Sequence, residues 1–255
     1  ESGVAPLQLS VMARDKFEVK ESLMGLVLLY KGKTETIPVI AGTGTLEYDI
    51  SRRVKKLTAQ MLRTVGFIGG HGEAGPNHEG YAPVFKHIRE QVAVAAITLD
   101  RPIPAGIEAL WIWAPAEKFK PDEIERLKAW VGSGRSLGLL LDRRHVDYGN
   151  FFTTRMPPTG LEDLLRQWGV EMPDGLVVDA QAEKVQMESS YGFFRAVSLM
   201  EYPYIPVATD MNRGHPAVRG LDSVSFPFVH PIRVIPESKT GLKYTTLVAA
   251  YRASW

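Results

Sequence analysis

Cysteine is absent from this 255-residue sequence, which excludes disulfide bonds, thiolate zinc sites and a cysteine nucleophile. Long apolar runs are also missing, since none reaches the roughly 18 residues that a membrane-spanning helix requires. The chain starts at Glu1 with no signal-peptide pattern. We therefore expect either a mature product or an excised soluble portion of a longer protein.

An excess of either charge is lacking as well. Lys and Arg total 30 against 29 Asp and Glu, which gives a formal charge of +1. No segment concentrates basic residues enough to follow a phosphate backbone, so we expect no nucleic-acid partner. The hydrophobic content of 45% is enough for a large core and argues against disorder.

Residues 1–44 predict a small antiparallel β unit. Short apolar runs alternate with polar residues, and the runs at 26–30 and 36–40 flank Lys31, Gly32 and Lys33. Two apolar runs around a short glycine-containing turn are typical of a β-hairpin.

Residues 45–255 predict one α/β domain. Strand-like runs at 64–68, 94–99, 109–113 and 137–141 alternate with amphipathic helical patterns at 81–92 and 121–132. Pro121 favours the start of the second of these helices and Gly132 its end. The fold class is therefore α/β, with an open, largely parallel sheet flanked by helices.

The pattern weakens at about 180–210, where aromatic and proline residues accumulate, and we expect a long excursion there. The aromatic residues from Tyr191 to Tyr204, including Phe193 and Phe194, form a candidate partner surface. Apolar runs at 226–229 and 245–251 predict further strands of the same sheet or its edge.

The first candidate site follows the strand at 64–68. Gly70, His71, Gly72 and Glu73 come where open α/β sheets bind ligands, outside the carboxyl ends of their strands. The glycines would let a ligand approach the backbone, and His71 and Glu73 could orient a polar group. The alternative is a tight turn whose glycines adopt positive φ angles.

Two further segments supply candidate binding residues. Asp142 and Arg143 follow the strand at 137–141, where they could recognise a charged ligand or form a solvated strand end with local ion pairs. Asp210, Asn212 and His215 lie in a turn-forming segment, which is structural unless the loop faces a ligand.

Metal and cofactor sites are not predicted. His71, Glu73, His78, Glu79 and His87 are possible zinc or iron ligands, but they lack the helical HExxH spacing. Asp142 could act as a nucleophile only with an activating partner and an oxyanion stabiliser, and the sequence identifies neither.

Several segments resemble the auxiliary proteins of ABC-type transport systems, the family that includes the gliding-motility protein GldG. The resemblance covers roughly residues 20–230. It is carried by the following segments: residues 46–49 (LEYD), 55–58 (KKLT), 65–73 (VGFIGGHGE), 132–134 (GSG) followed by 139–142 (LLLD), 205–207 (IPV) with 209–210 (TD), and 215–216 (HP) followed by 219–221 (RGL).

This resemblance implies a periplasmic, extracytoplasmic domain held by membrane anchors that are absent from this chain. It implies ABC-2 type permease and ATPase subunits as partners, and no catalytic activity. The implied fold is an open flavodoxin-like sheet related to class I glutamine amidotransferases and to a domain of an intraflagellar-transport subunit.

Three functional hypotheses follow. The first is a non-catalytic module that binds a partner or an envelope ligand for an ABC-2 type transport system, with a possible link to gliding motility. The second is a hydrolase of glycan or peptide that uses Glu73 or Asp142 with His71 as base. The third is a saccharide-binding domain, in which exposed aromatic residues at 191–204 would stack on sugar rings.

Overall fold

The computed structural model describes residues 3–13, 16–40, 42–44, 46–58, 62–191, 194–235 and 241–251. The chain divides into two compact units. The first comprises Glu1–Phe67, Pro76–Ala96 and Pro104–Ala109, and the second comprises Ile68–Gly75, Ile97–Ile103 and Leu110–Trp255.

The N-terminal segment forms two antiparallel hairpins. Their strands are β1 (Pro6–Ala13) with β2 (Lys16–Leu23), and β3 (Leu26–Tyr30) with β4 (Lys33–Ile37). Lys31 and Gly32 connect β3 to β4 with φ angles of 47° and 79°. Positive φ at both central residues suits the right-handed twist of a two-residue hairpin, so the hairpin predicted here is confirmed.

Helix α1 (Leu46–Thr58) packs beside the second hairpin. Glu47 and Asp49 lie in its first turn and Lys55 and Lys56 in its last turn, an arrangement that complements the helix dipole. Two side chains join it to β4: Arg53 Nε donates to the Thr36 carbonyl at 3.0 Å, and Lys56 Nζ lies 2.6 Å from Glu35 Oε1. The hairpin and helix therefore form one substructure.

Four strands form the parallel sheet, in the order β6-β5-β7-β8. The elements of this region are β5 (Thr64–Ile68), a 3₁₀ turn (Glu79–Tyr81), α2 (Ala82–Arg89), β6 (Ala93–Ile97), β7 (Ile107–Trp113), α3 (Pro121–Gly132) and β8 (Ser136–Leu140). The predicted α/β class and parallel sheet are confirmed, and the bounds of α3 agree with the prediction.

The packing of the core beside β7 explains why β8 has a glycine, Gly138, at its centre. Leu110 and Ile112 on β7 are fully buried, as is Leu127 on α3. A Cβ placed on Gly138 of β8 would lie 2.5 Å from the indole of Trp111. Glycine is therefore required at this position because a larger side chain would overlap the tryptophan ring.

The rest of the chain adds short strands, one helix and a long hairpin. These elements are β9 (Arg144–Asp147), β10 (Phe152–Arg155), α4 (Leu161–Gln167), β11 (Val170–Glu171), β12 (Ala182–Tyr191), β13 (Phe194–Ala208), β14 (Asp210–Met211), β15 (Val224–Ser225), β16 (Arg233–Val234) and β17 (Val248–Ala249). The antiparallel pairs are β9 with β10, β11 with β16, β12 with β13, β13 with β15, and β14 with β17.

The predicted excursion at 180–210 contains regular structure. Strands β12 and β13 form an antiparallel hairpin over most of this segment. Pro203 and Pro206 lie in β13 near the point where the register with β12 shifts between Ala182 and Lys184. Proline cannot donate to a ladder and is tolerated at such irregularities, so its presence did not prevent strand formation.

The tail strands predicted at 226–229 and 245–251 do not extend the parallel sheet. Among the described residues, the strand Val248–Ala249 lies within the second range and pairs with β14, and the strand Val224–Ser225 lies just before the first range and pairs with β13. Pro227 removes a backbone donor, and Phe228 has a φ of 53°, which ends the extended conformation. In the part of the chain described here, no helix is both long enough and apolar enough to cross a bilayer.

Candidate functional site

The loop after β5 adopts a conformation that requires glycine. Gly70 and Gly72 have φ angles of 118° and 78°. A Cβ on Gly72 would also lie 3.0 Å from the Cβ of Ala116. These angles support the tight-turn interpretation of the glycines, since side-chain-bearing residues rarely adopt them.

This loop is hydrogen-bonded to the loop that follows β7. The His71 carbonyl accepts from the amides of Ala116 and Glu117 at 2.8 and 3.0 Å, and the Ala74 amide donates to the Trp113 carbonyl at 3.0 Å. Strands β6 and β7 flank β5 on opposite sides, so the strand order reverses at the carboxyl end of β5. The predicted loop therefore lies at a position where open α/β sheets commonly bind ligands.

The side chain of His71 is held between two carboxylates. Its Nδ1 lies 3.1 Å from Glu73 Oε1, and its Nε2 lies 3.0 Å from Glu123 Oε2. The side chains of His71, Glu73 and Glu123 are only 9%, 0% and 5% exposed. Phe119 stacks on the imidazole with ring centroids 3.9 Å apart. We call these three polar residues the strand-end clamp.

Backbone contacts fix both carboxylates of the strand-end clamp. Glu73 Oε2 accepts from the His71 amide at 2.6 Å, and Glu123 Oε2 accepts from the Lys120 amide at 2.7 Å. Glu123 lies in the first turn of α3, where a negative charge is favoured by the helix dipole. The clamp thus connects the loop after β5 to the start of α3.

The hydrogen bonds of His71 limit the acid–base chemistry that the strand-end clamp can perform. Each nitrogen–oxygen contact is a hydrogen bond only when a proton lies between the two atoms. Both ring nitrogens of His71 are already engaged, and neither has a lone pair directed to solvent. The arrangement can hold two loops in place, whereas a general base needs a free nitrogen within reach of the substrate.

Asp142 belongs to a different group of residues. Burial raises the pKa of its carboxyl group, and the nearby His230 opposes this effect. Arg143 donates through an Nη atom to the Met172 carbonyl at 2.7 Å. Among the described residues, no hydrogen bond or ion pair joins Asp142 to His71, so the two strand-end candidates do not form one constellation.

His230 is a candidate site residue that no sequence pattern indicated. Its side chain is buried, and in the described part of the chain neither ring nitrogen makes a hydrogen bond of normal distance and angle, although the Gly175 backbone is near. It lines a cavity of about 440 Å³ whose other lining residues are mainly aliphatic. Burial lowers the pKa of the imidazole, while the Gly175 carbonyl and Asp142 act in the opposite direction.

Glu123 was also missed as a site residue, because a partner 52 residues from His71 leaves no local pattern in the sequence.

Asp210, Asn212 and His215 form a local turn. Asp210 pairs with Ala249 in the β14–β17 ladder. The His215 amide donates to the Asn212 carbonyl at 2.8 Å, and His215 Nδ1 accepts from the Ala217 amide at 3.3 Å. These contacts support the structural interpretation of the segment.

The other metal-ligand candidates are dispersed on the surface. His78 Nδ1 accepts from the Gly80 amide at 3.2 Å at the start of the 3₁₀ turn, and His87 lies 4.0 Å from Glu90. The described ranges contain no group of three or more His, Asp or Glu side chains arranged to hold a metal ion.

The aromatic candidates at 191–204 are described in part. Tyr202 and Tyr204 lie on β13 and line an open groove with Phe151 and Phe228. Phe193 and the side chains of Tyr191 and Phe194 lie outside the described residues.

A family model bears out the predicted family, and one relative and one solved structure are similar to the chain at low identity. A family model described as an ABC-type uncharacterized transport system matches residues 62–255. An uncharacterized protein of Borreliella burgdorferi is 20% identical over 262 residues, covering 99% of this chain. The chain spans about half the length of that curated relative, since the match covers 50% of it. The solved N-terminal domain of mmIFT52 matches with 18% identity and a TM-score of 0.45, over 68% of this chain and 69% of that one.

Proposed function

The chain belongs to the auxiliary proteins of ABC-type transport systems, and from this membership we propose that it is a non-catalytic, extracytoplasmic accessory subunit of an ABC-2 type system. The observation that carries the non-catalytic part is the engagement of both His71 ring nitrogens by buried carboxylates. A substrate could use this imidazole only after the strand-end clamp had opened, which would break two buried, charge-assisted hydrogen bonds.

The proposed partners are the permease and ATPase subunits of a GldG-type system. In this proposal the permease is the direct contact, because an extracytoplasmic domain meets the membrane-embedded subunit and not the cytoplasmic ATPase. Anchors elsewhere in the full-length protein would hold the domain at the membrane. The extracytoplasmic placement, the anchors and any role in gliding motility rest on the resemblance to GldG-type proteins.

Co-purification tests this proposal. The full-length protein would be tagged in its native host, extracted in a mild detergent and analysed by mass spectrometry. We expect enrichment of the permease and ATPase of one ABC system over a control with the same tag on an unrelated membrane-anchored protein. Equal recovery of these subunits from both samples would contradict the proposal.

A further inference from the structure

Five aromatic side chains converge on one open groove of the second unit. Phe151 and Phe152 come from the β9–β10 hairpin, Tyr202 and Tyr204 from β13, and Phe228 from the segment after β15. The groove has a volume of about 650 Å³, within the range of sites that hold small organic ligands. We call it the aromatic groove.

The rings in the aromatic groove support one another. The Tyr202 centroid lies 5.1 Å from that of Phe151 and 5.6 Å from that of Tyr204. Phe228 is buried and lies 6.1 to 6.3 Å from Phe151, Tyr202 and Tyr204. Phe152 and Tyr204 remain 73% and 42% exposed. A buried ring therefore lies among the residues that line the groove, and two exposed rings are accessible to a ligand.

Two residues of the aromatic groove have unusual backbone conformations. Phe151 and Phe228 have φ angles of 56° and 53°. Bulky residues rarely adopt positive φ, and such strained positions gather at binding and catalytic sites. The Phe228 amide also donates to the Tyr204 carbonyl at 2.8 Å, which holds Phe228 against β13.

Polar groups lie beside the rings. Arg144 lines the groove and donates through an Nη atom to Thr153 Oγ1 at 3.2 Å, and its other Nη lies 3.8 Å from Asp174. The Arg144 Nε atom is buried and has no hydrogen-bond partner among the described residues. The Arg144 side chain is 27% exposed, and its guanidinium carries five N–H donors, more than these contacts use.

We propose that the aromatic groove binds an oligosaccharide built of pyranose rings. A pyranose ring has a face of C–H bonds and a rim of hydroxyl groups. The C–H face matches the electron-rich faces of Phe152 and Tyr204. The hydroxyl rim both donates and accepts, which matches the guanidinium of Arg144 and the hydroxyl groups of Thr153, Tyr202 and Tyr204, all of which line the groove.

Other ligand classes fit the aromatic groove less well. A proline-rich peptide also binds aromatic grooves, but its tertiary amides have no N–H to give to the hydroxyl oxygens of Thr153, Tyr202 and Tyr204. Single-stranded nucleic acid needs a basic path along its backbone, whereas Arg144 is the one cationic residue among those described as lining this groove. The strand-end clamp is a separate set of residues, so the transporter proposal and this one fail independently.

Titration calorimetry with the purified 255-residue protein tests the inference. The probes are cellotetraose, chitotetraose and maltotetraose, with decaproline as the peptide alternative. The variants are Tyr204→Ala and Phe152→Ala, each of which removes one exposed ring from the groove. Tyr48→Ala is the matched control, because Tyr48 is an exposed ring on α1. Thermal melting of each variant confirms that it is folded.

We expect at least one oligosaccharide to bind and decaproline not to bind. Each groove variant should raise Kd about tenfold, and Tyr48→Ala should leave it unchanged. Failure of all three oligosaccharides to bind would overturn the inference, as would binding of decaproline alone. Saccharide binding that survives both groove substitutions in folded protein would also overturn it.

Discussion

His71 illustrates how a candidate catalytic residue can become a structural one through its neighbours. The imidazole is buried, and a buried polar ring is stable only when its nitrogens have partners. Glu73 supplies one partner from the same loop, and Glu123 supplies the other from α3. The residue types that suggested acid–base chemistry in the sequence therefore join the loop after β5 to the first turn of α3 in the folded chain.

Substitution of Glu123 tests the structural role of the strand-end clamp. Glu123→Gln removes the buried charge opposite His71 and should lower the free energy of unfolding by about 1–3 kcal/mol. Glu125→Gln is the matched control on the same helix, since Glu125 is 68% exposed and its pair with Lys128 is on the surface. Glu125→Gln should lower the free energy of unfolding by less than about 1 kcal/mol. Urea unfolding that gave equal losses for both variants would refute the clamp.

His230 predicts a pH dependence of stability. Burial lowers the pKa of its imidazole below the ordinary 6.5, with Asp142, Arg143 and Arg144 as the charged groups around it. The unfolded chain therefore takes up a proton at a higher pH than the folded chain does. Stability should fall as pH drops from about 7 toward 5, because protonation then favours the unfolded state.

His230→Phe separates this contribution from the others. The variant cannot titrate at this position, so its free energy of unfolding should fall less than that of the wild type between about pH 7 and pH 5. Asp142 contributes with the opposite sign at lower pH, because burial raises the pKa of its carboxyl group. Parallel curves for the two proteins, measured by denaturant unfolding, would show that His230 does not titrate as inferred.

Local chemistry explains which elements could be predicted from the sequence. Helix α3 begins at Pro121 and ends at Gly132. Proline favours the first turn of a helix and glycine its end, and both effects depend only on neighbouring residues. The β3–β4 turn is equally local. The β12–β13 hairpin was missed because Pro203 and Pro206 interrupt its pattern, and the structure accommodates them beside a shift in register. The two strands therefore form because they pair with each other, and not because of a local sequence pattern.

Gly138 provides a prediction at the level of the β7–β8 pair. Gly138→Ala places a methyl group against the indole of Trp111, and the overpacking should destabilise the protein by about 1–3 kcal/mol. Gly106→Ala is the control, because a Cβ there meets no atom within 4 Å. Comparable midpoints of thermal unfolding for the two variants would contradict the described packing of β8.

At the level of the whole molecule, the sequence predicted the family and the α/β class, but only part of the candidate site. The position of residues 70–73 after β5 followed from the order of the strands. The contact of His71 with Glu123 and the electrostatic influence of His230 on Asp142 did not, because each involves segments far apart in the chain. The function of an accessory subunit likewise depends on partners that one chain does not contain.

The central proposal is that the chain serves its transport system as a folded subunit without catalysing a reaction. The most direct test reconstitutes the complex with His71→Asn, Glu73→Gln and Gly138→Ala subunits and measures transport per assembled complex. We predict equal transport per complex for all three. Each substitution should lower the stability of the subunit and therefore the amount of complex that assembles, but not the activity of an assembled complex. A specific loss for His71→Asn and Glu73→Gln, with Gly138→Ala unaffected, would show that the strand-end residues perform chemistry and would contradict the account.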